Sequence, residues 1–157
     1  MIEVTAAALA ARPILRGMST NHLAVLAGSA SDVAFPAGHR LFEEGGSANH
    51  FWLVQCGSVA LDLHVPGHGR VRIDTVGLGE LLGWSWRFPP HRWAFGAVAA
   101  SPVEAFQFDA QAVRAFCASE PELGHEVTER VACVLAQRLQ STRVRLIGAS
   151  IHPAGTR

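Results

Sequence analysis

The sequence predicts a mainly β domain with flanking helices: an antiparallel, jelly-roll-like β-roll with short N-terminal helices and a long C-terminal helix. Three observations carry this. Between Asp32 and Phe108, short alternating apolar–polar runs are broken repeatedly by Gly, Pro, Asn or Asp, the signature of many short strands in a roll, sandwich or barrel. After Asp109 the apolar residues recur three or four apart, the period of a helix buried along one face. A chain of 157 residues has room for one core and little for a second.

The elements follow in order. Residues 1–30 form a helical segment. Ser19 or Thr20 caps a helix carrying Leu23, Val25, Leu26 and Ala27, and Gly28 ends it. Arg12-Pro13 and Gly17 separate it from an earlier short helix. Residues 31–109 form the roll. Val33 and Phe35 alternate before the turn at Pro36-Ala37-Gly38. Phe51-Trp52-Leu53-Val54 reads as a buried strand closed by Gly57. Val59, Leu61, Leu63 and Val65 alternate up to a hairpin turn at Pro66-Gly67-His68-Gly69. Asp62 and Asp74 fall on alternating strands and read as facing solvent. Val103 to Phe108 is the last strand. Residues 110–148 are helical, with Asp109 capping Ala110 to Cys117 and Ser119 capping a longer helix opened by Pro121 and Glu122. Its stripe of Leu123, Val127, Val131, Val134, Leu135, Leu139, Thr142 and Leu146 runs more than six turns. Gly148 and Pro153 end it, leaving 149–157 as a flexible tail.

Composition excludes several classes. Thirteen basic residues, all arginine, balance thirteen acidic ones; without a basic run, nucleic acid has no electrostatic footprint here. No apolar run approaches a bilayer span and no signal peptide is legible, so a cytoplasmic protein is expected. Cys56, Cys117 and Cys133 form no CxxC pair, which predicts reduced, mostly buried thiols and neither a disulfide framework nor a thiolate metal site. His64 and His68, four apart, flank a hairpin turn and read as surface residues. No nucleophile elbow, P-loop or paired carboxylates in a Gly-rich frame occurs, so no enzyme is expected.

Four motifs in order then point to a family. Phe35-Pro36-Ala37-Gly38 with Leu41-Phe42 and Glu44-Gly45, Phe51 to Val59, Gly77-Leu78-Gly79-Glu80-Leu81-Leu82-Gly83, and Phe116, Pro121 with Arg138-Leu139-Gln140 resemble the regulatory domain of the bacterial cyclic-AMP receptor and fumarate–nitrate regulator family. The resemblance covers about Ala24 to Leu146. It implies a phosphate-binding cassette formed as a short helix between two strands, with cyclic AMP or cyclic GMP as the ligand class. On the matching positions, Gly79, Glu80, Leu81, Leu82, Gly83, Trp84 and Ser85 would form the cassette. Glu80 would take the ribose hydroxyl, and backbone N–H groups from Leu81 to Trp84 would hold the phosphate. Thr142 would offer its hydroxyl to the base. The resemblance further implies a homodimer formed through the long helix and a downstream protein that reads the signal.

One departure stands out. The family's phosphate arginine precedes two small residues, whereas this sequence has His91-Arg92-Trp93-Ala94-Phe95. Counting back from the last strand puts Trp93 at the arginine position. Arg92 serves only if the strand slips by one residue, which turns a side chain to the other face; Arg87, in the aromatic loop, is a second candidate that otherwise reads as surface charge. Trp84, Trp86, Phe88, Trp93 and Phe95 either line a ligand pocket or fill the core of the roll. No recognition helix fits into Gly148 to Arg157, so DNA binding by this chain is not expected. The expectation is a sensor or regulatory domain with an atypical cassette, signalling through its C-terminal helix. Two other readings stand beside it: a ligand-free dimerisation module, or a sensor of a different ligand such as haem.

Overall fold

The computed structural model describes residues 2–151. Short helices α1 (Ala6–Ala10) and α2 (Thr20–Gly28) precede eight strands, and two helices follow them: α3 (Ala110–Ser119) and α4 (Pro121–Ile151). The strands are β1 (Ala30–Phe35), β2 (Arg40–Phe42), β3 (His50–Cys56), β4 (Val59–Val65), β5 (Gly69–Val76), β6 (Leu81–Leu82), β7 (Gly96–Ala99) and β8 (Val103–Asp109). They form two antiparallel four-stranded sheets, ordered β1-β8-β3-β6 and β2-β7-β4-β5, and so build the predicted roll.

Local chemistry sets the element ends. The Ser19 hydroxyl accepts from the His22 N–H at 3.3 Å and the Asp109 carboxylate from the Ala112 N–H at 3.0 Å, the expected N-caps. Ser119 departs from expectation: it closes α3, its hydroxyl donating to the Phe116 carbonyl, and Glu120 alone separates the two helices. The tight junction relies on Gly124, where an added Cβ would lie 2.8 Å from the Cys117 carbonyl oxygen. Helix α4 also runs through Gly148 to Ile151, further than expected; one glycine near a helix end costs only about 1 kcal/mol. Pro153 and the rest of the tail lie outside the described residues.

The core is the space between the sheets, closed at one end by helices. Phe51 stacks on Trp86 at 4.1 Å and on Phe108 at 4.7 Å. Leu123, Val127 and Val131 bury the first turns of α4, Val134 and Leu135 are half-buried, and Leu139 and Leu146 are exposed. The predicted stripe is therefore divided: its first half is buried on the roll, while Leu139 and Leu146 of its second half are exposed. No helix among the described residues is long and apolar enough to cross a membrane.

Two expectations are corrected. Asp62 does not face solvent: it is buried and receives a bidentate hydrogen bond from Arg40, while Asp74 lies half-covered 3.5 Å from the Arg145 guanidinium. Of the cysteines only Cys117 is buried, and Cys56 and Cys133 are exposed. Cys56 ends β3 at the Gly57 turn, and Cys133 lies on α4 two residues past the buried Val131.

Candidate functional site

The cassette begins where β5 turns back. Gly77 to Gly79 make the turn, with Gly79 in the left-handed region (φ 78°). The Gly77 N–H donates to Glu80 Oε2 at 2.6 Å, so Glu80 stiffens its own turn while its side chain stays exposed. The expected short helix between two strands is present only as a 3-10 turn after β6. Leu81 and Leu82 instead form β6, opposite Leu53 and Trp52 of β3. Two buried leucines in succession suit a strand covered on both faces, and a strand directs its N–H groups sideways into the sheet, unlike the converging donors of a helix N-terminus. A single 3-10 turn, Ser85–Arg87, follows. Ser85 is buried, and its hydroxyl accepts from the Ala94 N–H at 3.2 Å. Both are thereby committed to the loop's own structure.

The alternation between Arg92 and Trp93 is resolved by their backbone. The Trp93 N–H donates to the Gly46 carbonyl and the Trp93 carbonyl accepts from Gly45, both at 2.8 Å. This pairing turns Trp93 inward and Arg92 outward. The Arg92 guanidinium is exposed and donates to the Gly45 carbonyl at 3.0 Å. Trp93 is 4% exposed, stacks on Phe42 at 3.8 Å and lies 6.0 Å from Trp52. Its indole rests against Gly83, where an added Cβ would lie 2.8 and 2.9 Å from two ring carbons. The indole of Trp93 thus packs against the cassette loop at Gly83, while the Arg92 side chain points away from it.

The other aromatics also act as core. Trp86 is 1% exposed and Phe95 is buried, while Trp84 and Phe88 are half-buried against the same cluster. Arg87, read from sequence as surface charge, instead donates to the Thr128 hydroxyl of α4 at 3.1 Å. Thr142 stays outside the cassette: it is exposed, and its hydroxyl donates back to the Arg138 carbonyl at 2.8 Å.

Arg138, which enters the sequence reading only as part of a family motif, makes the direct tie between α4 and the cassette. Its Nη2 donates to the Leu81 carbonyl. Burial pulls this guanidinium below the ordinary arginine range, and the Asp74 and Glu80 carboxylates only partly oppose that. One signal was present in the sequence. Arg138 continues the three-and-four spacing of Val127, Val131, Val134 and Leu135, which is a charge on a buried stripe. Further along α4, Arg145 donates to the Ile73 carbonyl of β5 at 2.7 Å.

Comparison with known proteins agrees with this architecture. Residues 32–120 match the family model described as the cyclic nucleotide-binding domain, and the chain belongs to that family. Over 138 residues, or 88% of the chain, it is 28% identical to the CRP-like cAMP-activated global transcriptional regulator of Mycobacterium tuberculosis. The chain spans about 60% of that relative's length. Among solved structures, a protein of Geobacter metallireducens GS-15 described as a cyclic nucleotide-binding protein superposes with a TM-score of 0.80 at 22% identity, covering 88% of this chain and 99% of that one. A cyclic nucleotide-binding-like protein from Brucella abortus is 29% identical, with a TM-score of 0.56, over 68% of this chain and 90% of its own. A regulatory domain of the cyclic nucleotide-binding type, built as a β-roll, is what fold and family together define.

Proposed function

We propose that this chain is a sensor or regulatory module whose cassette is altered so that it does not hold a cyclic phosphate in the usual way, and whose output passes through α4. The observation that carries this reading is the Arg138 hydrogen bond to the Leu81 carbonyl. It joins the helix directly to the cassette strand, so a shift of either one costs this bond. Arg87 to Thr128 and Arg145 to Ile73 add a tie on either side. A ligand or partner acting near β6 therefore changes how α4 is held.

Hydrogen exchange tests the coupling. In Arg138→Met the stem keeps its packing and the tie is lost, so exchange is expected to quicken both at residues 79–86 and at residues 134–147. Exchange confined to one of the two segments, or unchanged in both, overturns the reading. Titration with cyclic AMP and cyclic GMP is expected to give no saturable heat. Saturable heat that disappears in Arg92→Ala would restore the ordinary cassette and overturn the altered one.

A second reading, a ligand-free dimerisation module, draws on the helix surface. Leu139, Val144, Leu146, Ile147 and Ile151 are all more than half exposed, an apolar surface along the second half of α4. Under either reading the partner is a second copy of this chain, with helices packed side by side. Sedimentation is expected to give a dimer, and Leu139→Glu with Leu146→Glu a monomer. A monomeric parent chain removes the dimer from both readings.

A further inference from the structure

A cleft of about 210 Å³ opens between the two sheets, where β1, β2 and the loop into β3 come together. It takes in no residue of β4, β5, the cassette turn, β6 or α4. It is therefore separate from the side of the roll on which α4 meets the cassette.

The inner walls are apolar. Phe42, Trp52 and Trp93 are buried, and Phe35 and Leu41 are half-buried. The rim is polar. Ser47, Asn49 and His50 are exposed, and none of these three side chains makes a hydrogen bond among the described residues. Neither a carboxylate nor a guanidinium lines the cleft.

Gln107 lines it too, and its environment is unusual. It continues the row of Val103 and Ala105 on β8, both buried, and lies opposite Trp52 of β3. An amide at such a position needs partners for both its oxygen and its nitrogen. An indole N–H can only donate, so the Trp52 Nε1–H, at 2.9 Å, fixes the Gln107 oxygen toward itself. The amide Nε2 is thereby turned the other way and has no acceptor among the described residues. Unlike Trp86 Nε1 and Arg138 Nη1, it is not sealed from solvent.

Apolar walls, a few polar groups without partners and a place at the mouth of a β-roll are the elements of a small-molecule site. A cavity of about 150 Å³ holds a benzene ring, so this cleft takes one ring with a short substituent. Walls without a fixed charge select a neutral ligand, because an ion would lose its hydration and gain no counter-charge. The unspent N–H of Gln107 calls for an acceptor on that ligand.

We propose that this cleft binds a small neutral aromatic amide, its ring among Phe35, Leu41 and Trp52 and its carbonyl accepting from Gln107 Nε2. Trp93 lines the cleft and rests on Gly83, so occupancy reaches the cassette. The proposal rests on the regulatory reading for that consequence, and not for binding itself.

The test is a two-dimensional NMR titration of the whole chain. Nicotinamide is the neutral probe, and nicotinate, with a carboxylate in place of the amide, is the charged one. Nicotinamide is expected to move the Trp52 indole N–H signal saturably, through its bond to Gln107. The signal of Trp86, which packs on Phe51, is expected to stay in place. Nicotinate is expected to bind about tenfold more weakly, for want of a counter-charge. Q107E keeps an oxygen for Trp52 but loses the N–H donor, and is expected to weaken nicotinamide about tenfold. S47F, at an exposed rim position, is expected to abolish binding by occupying the cleft. No saturable shift with nicotinamide overturns the proposal. So does binding that Q107E or S47F leaves unchanged, nicotinate binding as tightly as nicotinamide, or a shift centred on Trp86. Helix exchange in Arg138→Met is measured without either probe, so this proposal and the regulatory reading fail separately.

Discussion

Trp93→Ala is expected to destabilise the chain by about 3–5 kcal/mol, the usual cost of removing a fully packed large aromatic. The indole joins both sheets: it stacks on Phe42 of β2, neighbours Trp52 of β3 and lies against the backbone of Gly83. Its removal opens a cavity between rigid strands that cannot collapse together. A typical domain has only about 5–15 kcal/mol of stability in total, so urea denaturation should show a greatly lowered midpoint. Gly83→Ala approaches the same contact from the other side, since its new methyl group meets the ring at less than van der Waals distance. Combining the two changes should cost less than their sum, because the methyl then enters the space the ring has left. A loss below about 1 kcal/mol for Trp93→Ala would show that the indole does not wedge the cassette. Strict additivity would show that the two residues do not share the site.

The fold was legible because its signals are periodic. Alternation marked Val59 to Val65 as a strand, and the three-and-four spacing from Leu123 marked α4, because burial on one face imposes these periods. The cassette was legible as a place but not as a shape. Leu81-Leu82 lies at the entry to the cassette, and two residues carry no period that separates a helix turn from a strand paired with β3. Trp93 faces inward through its pairing with Gly45 and Gly46, which counting back from β8 does not reveal because that partner lies some 47 positions away in sequence. Arg138 was missed for a related reason. A charge on an apolar stripe invites explanation, but its acceptor, Leu81, is 57 residues distant. Asp62 was misread because alternation gives a face and not its cover: the cover comes from β2, through Arg40.

That pair leads to the second large effect. Asp62→Ala is expected to cost about 2–3 kcal/mol, less than the 3–5 typical of breaking a fully buried pair because Arg40 keeps 24% of its side chain in solvent. Arg40 Nη1 and Nη2 donate to the two Asp62 oxygens at 2.9 and 2.8 Å. Asp62 chiefly, through these bonds, and Glu43 hold the guanidinium above its ordinary range against the opposing effect of burial. The pair crosses β7 at Gly96, where a Cβ would lie 2.4 Å from Asp62 Oδ1 and 2.7 Å from Arg40 Nη1; only a residue without a side chain lets the two meet. Losing the carboxylate leaves a half-buried cation facing an apolar strand, with Glu43 3.6 Å away as its remaining counter-charge. Replacing both partners, as Arg40→Met with Asp62→Leu, removes the unpaired charge and should recover most of the loss. Urea midpoints of Asp62→Ala and the double variant therefore decide the matter. A double variant no more stable than Asp62→Ala would mean that the pair stabilises the roll through its bonds, and not by avoiding an orphaned charge.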